Sequence, residues 1–338
     1  MSQISDSPSP APSLDRRTFL KNGLFAAGTV AAGTAVVAPR RAQAAPAPSA
    51  TARKPPTKFI HACMTLAWSK FPLMRALSGI KSAGYDHVAW GVRHTDSDGQ
   101  TREVMEVDAP PARAGELGRI CRDFGLEPVK MYARVRPYDP NAVQGLTNRI
   151  RQAEKAGIQQ VMTYGHLPGQ DPTIWVRNLK QLGPVAADHN VLLVVKQHGG
   201  AIAGTGEALA KILREVDHPN VLMSYDAGNI AWYRNADPIA DIGTCADLVR
   251  GFCIKDHRYW PVKTTPGPGH GEIDHYRLFA PVAFTGQEIV LAYERIEPSI
   301  LRPRTPQDDP AVIDGWARSS REFIQNVIKG LQTTLATS

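Results

Sequence analysis

Four short apolar runs in this chain end abruptly in ionisable side chains. Val191 to Val195 leads into Lys196-Gln197-His198-Gly199-Gly200, and Val221 to Met223 leads into Tyr225-Asp226-Ala227-Gly228-Asn229. Phe252 and Cys253 precede Ile254-Lys255-Asp256-His257, and Ile289 to Ala292 precede Tyr293-Glu294. A short unbroken apolar run flanked by polar groups reads as a strand buried on both faces, as in a parallel sheet. In α/β barrels the reactive side chains stand where such strands end, at the C-terminal mouth. Lys, His, Asp and Glu gathered there would serve for acid–base work, for oxyanion stabilisation or for holding a cation.

Each candidate also has a plain structural alternative. Asp226, ahead of Gly228 and Asn229, is either a site carboxylate or the cap of the following turn. Glu294 ends an apolar strand, where an unpaired carboxylate is costly, so it requires a cation of some kind. Lys196 is that partner, or a catalytic amine, or half of a structural ion pair. His198 either lines a pocket or is a satisfied turn histidine, and the glycines after it permit close backbone approach. His166 stands just past another apolar run, in Tyr164-Gly165-His166-Leu167-Pro168-Gly169, and Lys255, Asp256 and His257 share one strand end. Trp68, Trp90, Tyr132, Tyr164, Tyr225, Trp232 and Tyr293 lie at or near strand ends. Trp68 is a candidate to stack on a ligand, although aromatics at such positions are more often core. Arg134 and Arg136 either bind an anionic group or are solvated.

The elements that must position these groups alternate. Strands are expected at Phe59–Leu66, His87–Gly91, Pro128–Ala133, Gln160–Tyr164, Val191–Lys196, Val221–Tyr225, Phe252–Lys255 and Ile289–Glu294. Helical patterns lie between them at Pro72–Ala83, Arg113–Phe124, Ala142–Ala156, Thr173–Asp188 and Gly206–Val216. Ala83-Gly84-Tyr85, Asp123-Phe124-Gly125 and Lys155-Ala156-Gly157 place glycine between helix and strand, as helix ends do. Eight strands alternating with helices predict an α/β protein with a single (β/α)8 barrel. A doubly wound sheet is the alternative, but no Gly-x-Gly-x-x-Gly follows the first strand. The sixth and seventh helices are indistinct, and Thr264 to Gly271 reads as a long loop.

The N-terminal segment stands apart from this pattern. Asp15-Arg16-Arg17-Thr18-Phe19-Leu20-Lys21 is similar to a twin-arginine export consensus, followed by a Gly/Ala-rich stretch and by Ala42-Gln43-Ala44 as a cleavage site. The expected organisation is a cleavable signal at 1–44, a disordered linker at 45–56, the barrel at 57–332 and a tail at 333–338. The apolar core of the signal is too short for a stable membrane anchor, which needs ~20 apolar residues. Export places the mature protein in the periplasm or outside the cell. Of the net charge of +7, residues 1–44 supply five basic and two acidic groups, leaving about +4. That excess is scattered, so nucleic acid is not an expected partner. Four cysteines without Cys-x-x-Cys spacing make a disulfide framework or structural zinc improbable.

In order along the chain, Gln-His-Gly-Gly after strand five, Asp-Ala-Gly-Asn after strand six, Lys-Asp after strand seven, Gly-His-Gly-Glu-Ile-Asp at 269–274 and Glu294 resemble the xylose isomerase-like barrel superfamily. That superfamily includes sugar isomerases and epimerases, inosose dehydratases and the endonuclease IV type of repair enzyme. The resemblance covers roughly residue 57 to the C-terminus. It implies a divalent metal held by a strand-five Glu, a strand-six Asp, a strand-seven His and a strand-eight Glu. Asp226 and Glu294 match the Asp and the last Glu. Lys196 and Cys253 stand in the other two places.

An ammonium repels a neighbouring cation and cannot ligate it. Three outcomes stay open. A metal (Mn, Zn, Fe or Co) would sit in a modified site of Asp226, Glu294 and His198, with His257 or His166 as further ligands. Alternatively Lys196 occupies the metal position and is itself the catalyst, with no cofactor. Or the site binds sugar without turnover. The resemblance implies an isomerase, epimerase or β-eliminating lyase for a sugar, keto-sugar or cyclitol; the signal segment makes it an exported one, and Glu294, Lys196 and His198 are the candidate catalytic residues. His166, Lys255, Asp256, His257 and Trp68 would contact substrate. A small carbohydrate is the expected partner, and a homo-oligomer is possible.

Overall fold

The computed structural model describes residues 54–165, 171–199, 202–298 and 309–337. Its strands are β1 Lys58–Met64, β2 His87–Trp90, β3 Glu127–Tyr132, β4 Gln160–Tyr164, β5 Leu192–Lys196, β6 Val221–Tyr225, β7 Val249–Ile254 and β8 Glu288–Tyr293. Each pairs in parallel with its sequence neighbours, and β8 returns to β1 with Phe59 opposite Ile289 and Cys63 opposite Tyr293. The sheet is therefore a closed (β/α)8 barrel, and the doubly wound alternative falls because neither edge is left open. The expected export signal lies outside the described residues, as do residues 45–53 of the expected linker.

Outside the strands run α1 Leu73–Ser82, α2 Pro111–Asp123, α3 Ala142–Ala156, α4 Pro172–Asp188, α5 Gly206–Val216, α6 Pro238–Ile242, α7 His275–Phe279 and α8 Pro310–Thr337. The first five stand within two residues of their predicted limits. Their amphipathic period is long enough to read, as in α5, where Leu209, Leu213 and Val216 are buried against the barrel. Helices α6 and α7 span only five residues each, too short to show a period. The left-handed Gly157 ends α3, and Gly84 and Gly125 take the same conformation after α1 and α2. An antiparallel hairpin of Arg93–Thr95 and Thr101–Glu103, which the pattern did not reveal, follows β2. Helix α8 continues past residue 332, where a tail was expected, to Thr337. Among the described residues no helix is long and apolar enough to cross a membrane.

The barrel interior is lined unevenly, and this decides the site. Ala62, Ala89 and Ala292 pack with Ile60, Met64, Val129 and Val290 in one interior cluster, Gly251 leaves room for Lys130 and Gln160, and Met162 and Val194 pack around Cys253. A register shift between β2 and β3 pairs Val88 with Pro128 but Ala89 with Lys130. The extra residue turns Lys130 into the interior, where its Nζ donates to Ser224 Oγ on β6 at 2.9 Å. All four cysteines are buried and free.

Candidate active site

Where β5, β6, β7 and β8 end, four charged side chains close into a compact array. Lys196 Nζ lies 2.9 Å from Glu294 Oε2 and 3.4 Å from Asp226 Oδ2. Lys255 Nζ lies 3.0 Å from Asp226 Oδ2 and 3.1 Å from Glu294 Oε1. Each ammonium thus bridges both carboxylates, and the four formal charges cancel. Asp226 is fully buried, Lys196 and Lys255 nearly so, and Glu294 keeps 14% of its side chain exposed. Glu294 is therefore the member of the array that a ligand reaches first.

Neighbouring polar groups hold this geometry. The Asp226 N–H donates to Gln197 Oε1 at 3.0 Å, and Asp226 Oδ1 accepts from the Asn229 N–H at 3.0 Å. Asp226 thus caps the turn and pairs with lysine at once, so the two readings of it are compatible. Asn229 Nδ2 donates to Gln197 O, and Asn229 Oδ1 accepts from Lys255 Nζ at 3.1 Å. Gly228 leaves the room this requires: a Cβ there would stand 2.4 Å from Lys255 Cγ.

The electrostatics follow from burial against pairing. Burial alone would raise the Glu294 carboxyl, but Lys196 and Lys255 hold it well below the usual carboxylate range. Burial alone would lower the Lys196 amine, but Cys253 and the Glu294 carboxylate hold it well above its ordinary value. Lys196 is accordingly an ammonium in the resting site. Its Nζ also stands 5.4 Å from the Tyr132 ring centre and 5.6 Å from that of Tyr164. Beneath the array, burial pushes the Cys253 thiol up to about 11, with Met162 Sδ 3.3 Å from Cys253 Sγ. Burial lowers the Lys130 amine to about 8.

The remaining predicted residues divide between mouth and scaffold. The His198 ring packs at a tilt against Tyr164, with centres 4.7 Å apart, and against Tyr233, with centres 4.9 Å apart. His257 is buried with its ring 4.2 Å from that of Tyr259 and 5.9 Å from that of Trp232. Asp256 faces the backbone of the loop after β7: Oδ1 accepts from the His257 and Ile273 N–H groups, and Oδ2 accepts from that of Gly269. Trp68 is fully buried against α8, its indole N–H donating to Asp314 Oδ1 at 2.9 Å beside the Arg75–Asp314 ion pair. That environment gives it a packing role and leaves no face for a sugar. His166 lies outside the described residues. Arg134 pairs with Glu103, and Arg136 lies 5.9 Å from the Tyr164 ring centre. Lys130 and Tyr233 were not singled out in the sequence. A lysine inside Val129-Lys130-Met131 is a legible anomaly, whereas nothing local marks Tyr233.

The sequence matches the xylose isomerase-like TIM barrel family over residues 77–321. The chain belongs to this family. Among solved structures it is similar to D-allulose 3-epimerase from Methylomonas sp. in complex with D-allulose, at 17% identity and TM-score 0.59, covering 81% of this chain and 99% of that one. It is also similar to a xylose isomerase-like TIM barrel protein from Mycobacterium smegmatis in complex with magnesium, at 15% identity and TM-score 0.62, covering 82% and 97%. A third likeness is to a xylose isomerase-like TIM barrel/4-hydroxyphenylpyruvate dioxygenase fusion protein, at 16% identity and TM-score 0.62. It covers 83% of this chain but only 44% of that one. Comparison with curated proteins gives no match.

Membership raises the question of whether this xylose isomerase-like barrel fits a divalent ion. Asp226, Cys253 and Glu294 do offer ligand atoms within 4.8 Å of one another. His198, expected as a ligand, is not part of that group and packs against Tyr164 and Tyr233. The same two carboxylates hold the ammoniums of Lys196 and Lys255, so a cation among them would face two positive charges a few ångströms away. Cys253 would in addition have to ionise against its burial. The residues present do not fit a resident divalent cation while both lysines are in place. Two ammoniums stand where the charge of a metal would be.

Proposed function

We propose that this barrel is a carbohydrate enzyme that moves a proton next to a carbonyl without a metal, as an isomerase, epimerase or β-eliminating lyase of a sugar, keto-sugar or cyclitol. The observation that carries this reading is the bridging of Asp226 and Glu294 by both Lys196 and Lys255 at the C-terminal mouth. Support for the substrate class comes from sugar epimerases of the same fold, among them L-ribulose 3-epimerase and 3-keto-D-glucoside 4-epimerase from E. coli.

In the resting array Glu294 is a weak base, because two ammoniums stabilise its charge. A carbonyl oxygen that takes over one lysine contact frees Glu294 and is polarised by the same ammonium. Glu294 then removes the proton from the carbon beside the carbonyl. The C–H electron pair becomes the C=C of an enediolate, and the negative charge moves to the oxygen held by the lysine. The proton now on Glu294 isomerises the sugar when it passes to the neighbouring carbon while the hydroxyl proton moves to the enediolate oxygen, and gives elimination when it leaves with a β-substituent; inversion requires a second acid on the opposite face, with Glu294 losing its proton to water. Lys196, an ammonium, serves better as this electrophile than as a Schiff-base amine, which must be neutral.

A second reading is sugar binding without turnover, and the complete pairing of the array favours it. One experiment separates the two. The mature protein is incubated in D2O with a panel of ketoses and keto-glycosides, with and without chelator, and carbon-bound deuterium is followed by NMR. Exchange that survives chelator and is lost in Glu294→Gln supports the enzyme; binding with no exchange leaves the binding protein. Export through the twin-arginine route belongs to the same proposal. It is tested by fractionating cells that express Arg16→Lys/Arg17→Lys, which should retain the protein in the cytoplasm.

A further inference from the structure

The aromatic side chains at the mouth form two connected rows. From the Lys196 ammonium one row runs outward through Tyr132, Tyr164, His198 and Tyr233, with successive ring centres 5.4, 4.7 and 4.9 Å apart. Tyr132, Tyr164 and His198 are half-buried, and Tyr233 at the outer end is 45% exposed. The second row starts two residues beyond Lys255 with His257, which packs on Trp232 and on Tyr259, itself 43% exposed. The rows meet in one π-helical turn, Ile230–Arg234, which carries Trp232 and Tyr233 side by side. Such turns are rare and recur at functional sites.

This arrangement is built into the backbone. A Cβ on Gly199 would lie 2.1 Å from the Tyr233 ring, so the ring rests directly on the backbone after β5. On the other row Lys263 Nζ donates to Trp232 O at 2.8 Å and stands 5.1 Å from its ring centre. A free monosaccharide seated on Glu294 and the lysines would leave the outer, exposed rings without a ligand surface. Flat rings with an apolar face stack on tyrosine and tryptophan at about the separations these rows keep among themselves.

We infer that the mouth carries a second subsite, centred on Tyr233, for a ring attached to the reacting sugar, so that the ligand is a glycoside and not a free monosaccharide. The inference rests on the carbohydrate reading above. Two sources supply such a ring, an aryl aglycone or a neighbouring pyranose.

The mature protein is titrated calorimetrically with matched methyl glycosides, phenyl glycosides and disaccharides in the gluco, galacto and manno series, both anomers. In at least one series the ring-bearing ligand binds about tenfold more tightly than the methyl glycoside, the order expected of one good stacking contact. A phenyl preference identifies an aryl aglycone, and a disaccharide preference identifies a second sugar. In Tyr233→Ala the ratio falls to near one. Gly199→Ala, which displaces the ring without removing it, lowers the ratio as well. Equal affinities in every series, no binding of any ring-bearing ligand, or a ratio that survives both variants overturns the inference. Deuterium exchange is scored on the keto-glycosides that match this panel, which carry the carbonyl the proton transfer requires. Exchange without ring preference removes the subsite and leaves the chemistry, and ring preference without exchange does the reverse.

Discussion

Lys255 Nζ stands 3.1 Å from Glu294 Oε1, joining the ends of two adjacent strands across the mouth of the barrel. The contact adds a second ammonium to a carboxylate that Lys196 already holds. Because both lysines also reach Asp226, removing either one leaves negative charge buried with half its compensation.

The first consequence concerns metals. Dialysis against chelator is expected to leave the melting temperature unchanged, and elemental analysis to find divalent metal well below one equivalent. The double variant Lys196→Glu/Lys255→Met removes both ammoniums and adds a carboxylate beside Asp226, Cys253 and Glu294. It should gain about one equivalent of zinc or manganese. A stoichiometric metal in the unaltered protein would show that the lysines do not exclude the ion.

Acid should weaken the fold through Glu294. Its carboxyl is held below its ordinary value, so its contribution is complete above the unfolded value near ~4.3 and is lost as pH falls through the depressed folded value. Glu294→Gln strands two buried ammoniums on one remaining carboxylate and should cost about 3–5 kcal/mol at neutral pH. The gap between the two proteins in urea denaturation should shrink as pH is lowered from 5 to 3. A gap independent of pH over that range contradicts the assignment.

Lys130 shares that pH slope, but its charged form costs stability at neutral pH. Burial lowers its amine to about 8, so the unfolded chain binds more protons between there and the ordinary lysine value, and stability rises with pH across that interval. Lys130→Met should therefore stabilise the protein at pH 7 by roughly 1–3 kcal/mol and flatten that rise. Gly251→Ala places a Cβ 2.7 Å from Lys130 Nζ and 2.8 Å from Gln160 Oε1, at a cost of about 1–3 kcal/mol. Much of that cost should disappear when the two substitutions are combined, which a double-mutant cycle measures.

Asp256 anchors the loop between β7 and α7 by accepting three backbone N–H groups. Asp256→Ala orphans these donors, each at about 1–3 kcal/mol if it stays buried. The expected result is local opening, seen as new proteolytic cleavage between residues 258 and 273 with little change in global unfolding.

The sequence by itself determined the barrel, because eight buried strands and five long amphipathic helices each carry their own period and end signals. It also marked Lys196, Asp226, Lys255 and Glu294 as strand-end groups, since an ionisable residue closing an apolar run is legible without any partner. Which of them touch was decided by the closing of β8 on β1 and by the lateral order of β5 to β8. Lys255, expected to contact substrate, became the second bridge between Asp226 and Glu294 through the room beside Gly228. Trp68 became core because α8, more than two hundred residues later in the chain, delivers Asp314 to its indole. Lys130 turned inward through a register shift that no local pattern signals. Periodicity is a property of neighbouring residues, whereas charge pairing and ring stacking depend on distances between strands, which exist only once the barrel has closed.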